Sequence, residues 1–236
     1  VRDGWSVKRL VRTLVCTEAY RRSTAAESVS ARAADESNTL YWRQNLRRLE
    51  AEAIRDALLA ASGELNRKAE GPSVYPSLPA EVHGTQDSSG KGWSDSPPDE
   101  QRRRSVYLVV KRALKVPLLE CLDFANSASP SGTRTTTTTA PQALMLLNDP
   151  FIQERAAALA QRVARESDDR VRDRIACLYR VALQRPPSAA ERATAETHLR
   201  EVRNRLAAEG NPDPETGALE SLCRVILNLN EFIYVD

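Results

Sequence analysis

Beyond residue 150, apolar side chains return every three or four positions, in runs interrupted by proline and glycine at 186–187 and 210–214. That period belongs to an amphipathic helix and to no other regular structure, so it commits this third of the chain to packed helices. Ile152, Ala156, Leu159, Ala160 and Val163 form one stripe, and Val171, Ile175, Leu178, Tyr179 and Ala182 form the next. Arg185-Pro186-Pro187 breaks the pattern, and Ser188 with Glu191 then spells a capping box for a helix running to about residue 208. Gly210, Pro212 and Pro214 precede a last stripe of Leu219, Leu222, Cys223, Ile226 and Leu229. The closing residues 231–236 are too apolar for a free tail and are expected to pack or pair.

The N-terminal half reads less evenly. Val7, Leu10, Val11, Leu14 and Val15 predict a first helix with Ser6 as its N-cap and Arg9 and Arg12 facing water. A second is predicted over 48–62, stopped by Gly63, with Leu49, Ala53, Ile54, Ala57, Leu58 and Ala61 on its apolar face. Along it, Arg48 with Glu52 and Glu52 with Arg55 have the spacing of solvated surface pairs; a second reading points Glu52, Arg55 and Asp56 into a polar pocket. Pro72, Pro76, Pro79, Pro97 and Pro98 make 68–101 a long loop, with strand pieces expected around Val74-Tyr75 and His83. The run 104–112, holding Tyr107, Leu108, Val109 and Val110, is the best strand candidate. Arg134 opens a run of five threonines ending in Ala140-Pro141, which starts a short helix faced by Leu144, Met145 and Leu147. Asn148-Asp149-Pro150 restarts a helix in the same way. The predicted fold is mainly α, a multi-helix domain with a small β element near 74–76 and 104–112. It is read as one domain over 1–236 with the 68–101 insertion, dividing if anywhere into 1–149 and 150–236.

Composition narrows the chemistry. Thirty-four basic residues against 32 acidic leave a net charge of +2, so no global field draws nucleic acid or anionic lipid. No apolar run reaches the roughly 20 residues of a membrane span. Cys16, Cys121, Cys177 and Cys223 stand singly, too far apart for a zinc knuckle or a Cys-x-x-Cys motif, and are expected as buried or half-buried thiols, with a disulfide as the alternative. With His83 and His198 the only histidines, no metal site is expected, and neither is expected to act in catalysis. The nucleophile elbow, the glycine-rich phosphate loop and the His-Glu-x-x-His helix are all missing.

Several phrases together carry a resemblance: GWSVKRLVRTLV…AYRRS at 4–23, RRLEAEAIRDALLAASGEL at 47–65, GPSVYP at 71–76, RRSVYLVVKR at 103–112, LLECLDFAN at 118–126, RTTTTTAPQALMLLNDPFI at 134–152 and NEFIYVD at 230–236. The set resembles the planctomycete-type C-terminal domain of unknown function called the PSD-one domain, in order and across essentially the whole chain. The resemblance implies a C-terminal piece of a large exported protein, periplasmic or at the cell surface, often with a cytochrome c-like domain upstream. It brings no catalytic residues with it. Cys-x-x-Cys-His is missing from these residues, so the chain itself is expected to hold no cofactor and any haem would belong to the upstream domain.

The polar residues best placed to form a site are Arg103, Arg104, Arg112, Asp123 and Arg134, which flank the strand candidate and the threonine run. Arginines meeting near a helix N-terminus could hold a carboxylate, sulfate or sugar acid. The alternative is a structural clasp in which Asp123 pairs with Arg134. Glu50, Glu52, Asp56, Glu120 and Asp123 are the carboxylates from which a glycoside-hydrolase pair would have to be drawn. The leading expectation is a scaffold or docking module whose partners are the parent's upstream domains, a protein or a polysaccharide. The alternative is a hydrolase of complex, sulfated or acidic polysaccharide working around Asp123 and Arg134.

Overall fold

The computed structural model describes residues 4–84, 93–112, 114–127, 129–130 and 132–235. The chain is mainly α, and its contacts divide it into two compact units: residues 1–48 with 234–236, and residues 49–233. Residue 149 lies inside the second unit.

The first unit holds α1 (Val7–Val15), α2 (Val29–Ala34), β1 (Arg47–Arg48) and β2 (Tyr234–Val235). Ser6 caps α1 as expected, its hydroxyl accepting from the Arg9 amide at 3.3 Å. No residue of α1 is buried, and its apolar stripe faces solvent. Between α2 and β1 the chain is knotted by local polar contacts. Asp35 accepts from the Thr39 amide and hydroxyl, both at 2.9 Å, and from the Leu40 amide at 2.7 Å. Asn38, with φ at +55°, donates its amide to Arg43 O and Asn45 Oδ1. The two strands are antiparallel, Arg47 opposite Val235 and Arg48 opposite Tyr234, so the apolar C-terminus does pair.

The second unit contains α3 (Ala51–Ser62), α4 (Ala80–Gly84), α5 (Pro98–Gln101), α6 (Pro117–Cys121), α7 (Ala140–Asn148), α8 (Pro150–Glu166), α9 (Val171–Leu183), α10 (Ala189–Ala208), α11 (Pro214–Leu227) and α12 (Asn230–Ile233). α8 is its axis, packed by α3, α7, α9 and α11. Ile152, Leu159, Ala160 and Val163 supply its buried face, while Ile54, Leu58 and Leu59 of α3 meet no solvent. Each large aliphatic side chain so buried contributes about 1.5–3 kcal/mol, so truncating Leu58 or Leu159 to alanine would loosen the α3–α8 layer. α10 and α11 form a hairpin held close by Gly217, where an added Cβ would sit 2.7 Å from Leu206 Cδ1.

Helix ends fall where their capping chemistry places them. Ser188 and Glu191 close the capping box of α10, Asp149 caps α8 ahead of Pro150, and Gly63 ends α3 with φ at +79°. Two local expectations are corrected. Residues 105–107 form a 3-10 turn instead of a strand, because Asp56 captures the Ser105 amide and hydroxyl, both at 2.7 Å. Only Leu108 then pairs, in a single parallel bridge with Val74, and His83 lies in α4 instead of a strand piece. In α7 the buried residues are Gln142 and Leu146, whereas Leu144 and Leu147 face water. Of the four thiols, Cys177 and Cys223 are buried and Cys121 half-buried, but Cys16, capping the uncovered α1, is exposed.

Candidate functional site

Three polar neighbourhoods of the second unit involve the sequence-predicted residues or their neighbours. The first is built around Arg55, which falls on the buried stripe of α3 between Ala51 and Leu58 and is only 3% exposed. Its guanidinium donates to Arg103 O at 3.0 Å, to Ser105 Oγ at 3.1 Å and to Gln101 O, and it stacks over the Phe151 ring. Burial, offset in part by Asp56, pulls its pKa down to about 10, so it stays charged at neutral pH. The solvated surface pairing of this helix is therefore corrected: Arg55 braces the chain entering the 3-10 turn.

Arg103 is the most enclosed charge among the described residues, with no solvent exposure. Its donors go to Lys68 O, Glu70 O and Pro72 O, and Nη1 meets Glu100 Oε2 at 3.1 Å. Its guanidinium also lies 4.0 Å from the centre of the Tyr107 ring. This planar fork ties three alternate carbonyls of the 68–72 segment to α5, which explains how so proline-rich a loop keeps a fixed course. Arg104 points outward, 3.9 Å from Asp56, and Arg112 is exposed with no side-chain partner among the described residues. The basic stretch thus disperses.

The second neighbourhood is the threonine junction. Asp123, with φ at +63°, accepts from the Thr137 amide at 2.7 Å, from its hydroxyl at 2.9 Å, and from Gln142 Nε2 at 3.1 Å. Gln142 also donates to Cys121 O and Thr137 Oγ1 and accepts from the Thr139 amide, so it both caps α7 and stitches α6 to α7. Arg134 takes other carboxylates: Glu52, at 2.6 and 2.8 Å, and Glu50, at 3.4 Å. The expected Asp123–Arg134 pair is thereby corrected, since each residue finds its partners elsewhere in the junction.

The electrostatics favour fixed charges. Partial burial would raise the Glu52 carboxyl, but hydrogen bonding and attraction from Arg134 hold it below its usual value. Arg134 is pushed up by the same contacts. A carboxylate so held is ionised at neutral pH and has no proton to give a leaving group, as a glycoside hydrolase acid must. Beside the junction lies a small pocket whose lining includes Leu108, Leu114, Leu119 and Phe124, together with Glu120, which Lys115 holds at 2.9 Å. Among the described residues no three His, Cys, Asp or Glu side chains gather as metal ligands, and no helix is long and apolar enough to cross a membrane.

Sequence reasoning missed three participants. Arg155 lies on the α8 stripe between Ile152 and Leu159, stacks on Phe151 and meets Glu64 at 3.1 Å. Like Arg55, it was detectable as an arginine in an apolar register. Gln142, three residues after Thr139, completes a readable capping box. The third, Arg162, forms the last neighbourhood: it donates to Ala60 O and Ala61 O at 3.0 and 2.9 Å, and no local pattern marks it.

Comparison with known proteins agrees with the resemblance carried by the motifs. No curated protein and no solved structure matches the chain. The profile of the PSD1 family, described as a protein of unknown function (DUF1553), matches residues 1–199. That span covers well over half of the 236 residues and the whole of both site neighbourhoods first expected, and the chain belongs to the PSD1 family.

Proposed function

We propose that the chain is a helical scaffold and docking module of a larger exported protein that carries a cytochrome c-like domain. The observation that carries this reading is α1. It is a capped helix with every apolar residue in register, yet Val7, Leu10, Val11 and Leu14 are between 50% and 72% exposed. A helix of nine residues is marginal alone in water, and a contiguous apolar stripe is the usual mark of a surface that something covers. The parent's upstream domains are the partner this reading assigns to it. Two of the arginines expected to bind a ligand support it too, since Arg103 and Arg134 are spent on tethering the chain's own loops.

Hydrogen exchange in the intact parent and in this chain alone tests the proposal. Docking predicts that the α1 amides exchange at least about tenfold more slowly in the parent, and that Leu10→Glu with Leu14→Glu abolishes the difference. Equal exchange in both would overturn it. The absorption spectrum of the parent tests the cytochrome association separately.

A further inference from the structure

The third neighbourhood lies away from the loops that first drew attention. α3 ends at Ser62, and Gly63 turns the chain left-handed so that the Glu64 and Leu65 amides bond back to Leu59 O at 2.9 and 3.0 Å. The last carbonyls of a helix normally go to water or to a local cap. Here Arg162 of α8 supplies the cap, its Nη1 donating to Ala60 O and Ala61 O while Nε donates to Glu166 at 2.8 Å. Those contacts fix the guanidinium and leave its Nη2 edge with no partner. Gly63 packs closely under it: an added Cβ would lie 3.2 Å from Arg162 Cδ and would displace that side chain by a few tenths of an ångström.

Arg162 borders an open polar depression of about 350 Å³ shared with Arg67, Arg165 and Glu166. Neither Arg67 nor Arg165 makes a side-chain hydrogen bond or ion pair among the described residues. Three guanidiniums therefore share one hollow with a single carboxylate, and that carboxylate is already held by Arg162 Nε. Arg185, by contrast, is matched by Glu191 and Glu231. In this hollow two positive charges go unanswered. Guanidinium edges present paired N–H groups that match the oxygens of a tetrahedral oxyanion, and like charges held together stabilise a dianion between them. The helix-end carbonyls that would repel an anion are the ones Arg162 covers.

We propose that this depression is an oxyanion site that takes a sulfate or phosphate group through Arg67, Arg165 and the free edge of Arg162. The proposal is independent of the docking role of α1, and its failure would leave that role untouched.

Calorimetric titration of the intact chain with sodium sulfate and with sodium phosphate tests it, with sodium chloride at matched ionic strength as reference. The expected result is saturable one-to-one binding of a dianion, weakened about tenfold by Arg165→Gln or Arg67→Gln and unchanged by Arg180→Gln, an exposed arginine elsewhere. Glu166→Gln is expected to tighten binding a few-fold, a gain that misfolding cannot produce. Phosphate binding that strengthens with its second ionisation while sulfate binding stays flat with pH would identify a doubly charged ligand of either kind. The proposal is overturned if no dianion saturates the chain beyond the chloride reference, if Arg165→Gln and Arg67→Gln bind as the unsubstituted chain does, or if Arg180→Gln weakens binding equally.

Discussion

Arg134 holds Glu52 with two N–H···O bonds of 2.6 and 2.8 Å, joining residues 82 positions apart. The pair fixes the start of the threonine run against the first turn of α3, and Glu50 adds a second, looser carboxylate to the same guanidinium. Both side chains of the tight pair are partly exposed, at 35% and 24%, so solvent screening limits what it is worth. A double-mutant cycle of Arg134→Ala and Glu52→Gln should give a coupling of about 1 kcal/mol, reduced at high salt. A coupling of zero would mean the pair positions nothing.

Arg103 should behave quite differently. It is fully enclosed and its donors serve three carbonyls and a carboxylate, so Arg103→Met strands those acceptors inside the protein. The expected loss is about 3–5 kcal/mol, measured by urea unfolding. Arg103→Lys should recover little of it, because a single ammonium cannot span the same fork of acceptors. Faster cleavage after Lys68 by trypsin in either variant would show that the 68–72 segment has come loose.

The acid limb of stability should report on Arg185. This arginine binds Glu191 at 2.6 Å and also Glu231, and with the Ser188 amide it drives the Glu191 carboxyl down to about 2. A carboxyl lowered in the folded state stabilises it above the ordinary value near 4.5, and that contribution fades as pH falls from there toward 2. Thermal unfolding between pH 5 and pH 2 should therefore show a falling midpoint, and Glu191→Gln should flatten the slope. An unchanged slope would remove the clasp as a source of acid lability.

Thiol chemistry gives a test of burial. Cys16 is exposed and should react with a disulfide reagent in the native protein, whereas Cys177 and Cys223 should react only after unfolding. Burial, reinforced by Glu220 and Cys177, raises the Cys223 thiol well above its usual value, so its thiolate is scarce even at alkaline pH. Release of all four thiols from the folded protein would contradict the packing of α9 against α11.

Much of this fold is legible in the sequence because its signals are local. Ser188 with Glu191, Asp149 with Pro150, and Gly63 each act within a turn of the helix they start or stop. The stripes of α8, α9 and α11 repeat often enough to name their own buried faces. What stays hidden depends on distant backbone. The acceptors of Arg55 are carbonyls 46 and 48 residues away, and a carbonyl looks the same at every position of a sequence. The 104–112 run is misread for a related reason: its residue types favour a strand, but Asp56 captures Ser105 and turns the chain before a ladder forms. In α1 the period is read correctly and the environment is not, since a stripe records that a helix has an apolar side without saying what lies against it.

The cap that Arg162 places on α3 has a consequence for how the chain is made. Ala60 leaves the ribosome 102 residues before the side chain that closes its carbonyl. At about 5–20 residues per second, α3 must wait roughly 5–20 s for that partner, with Ile54, Leu58 and Leu59 uncovered as well. During those seconds it is a stretch of chain with an unfinished end and an unshielded apolar side. The arrival of α8 supplies the missing surface and the missing donor together.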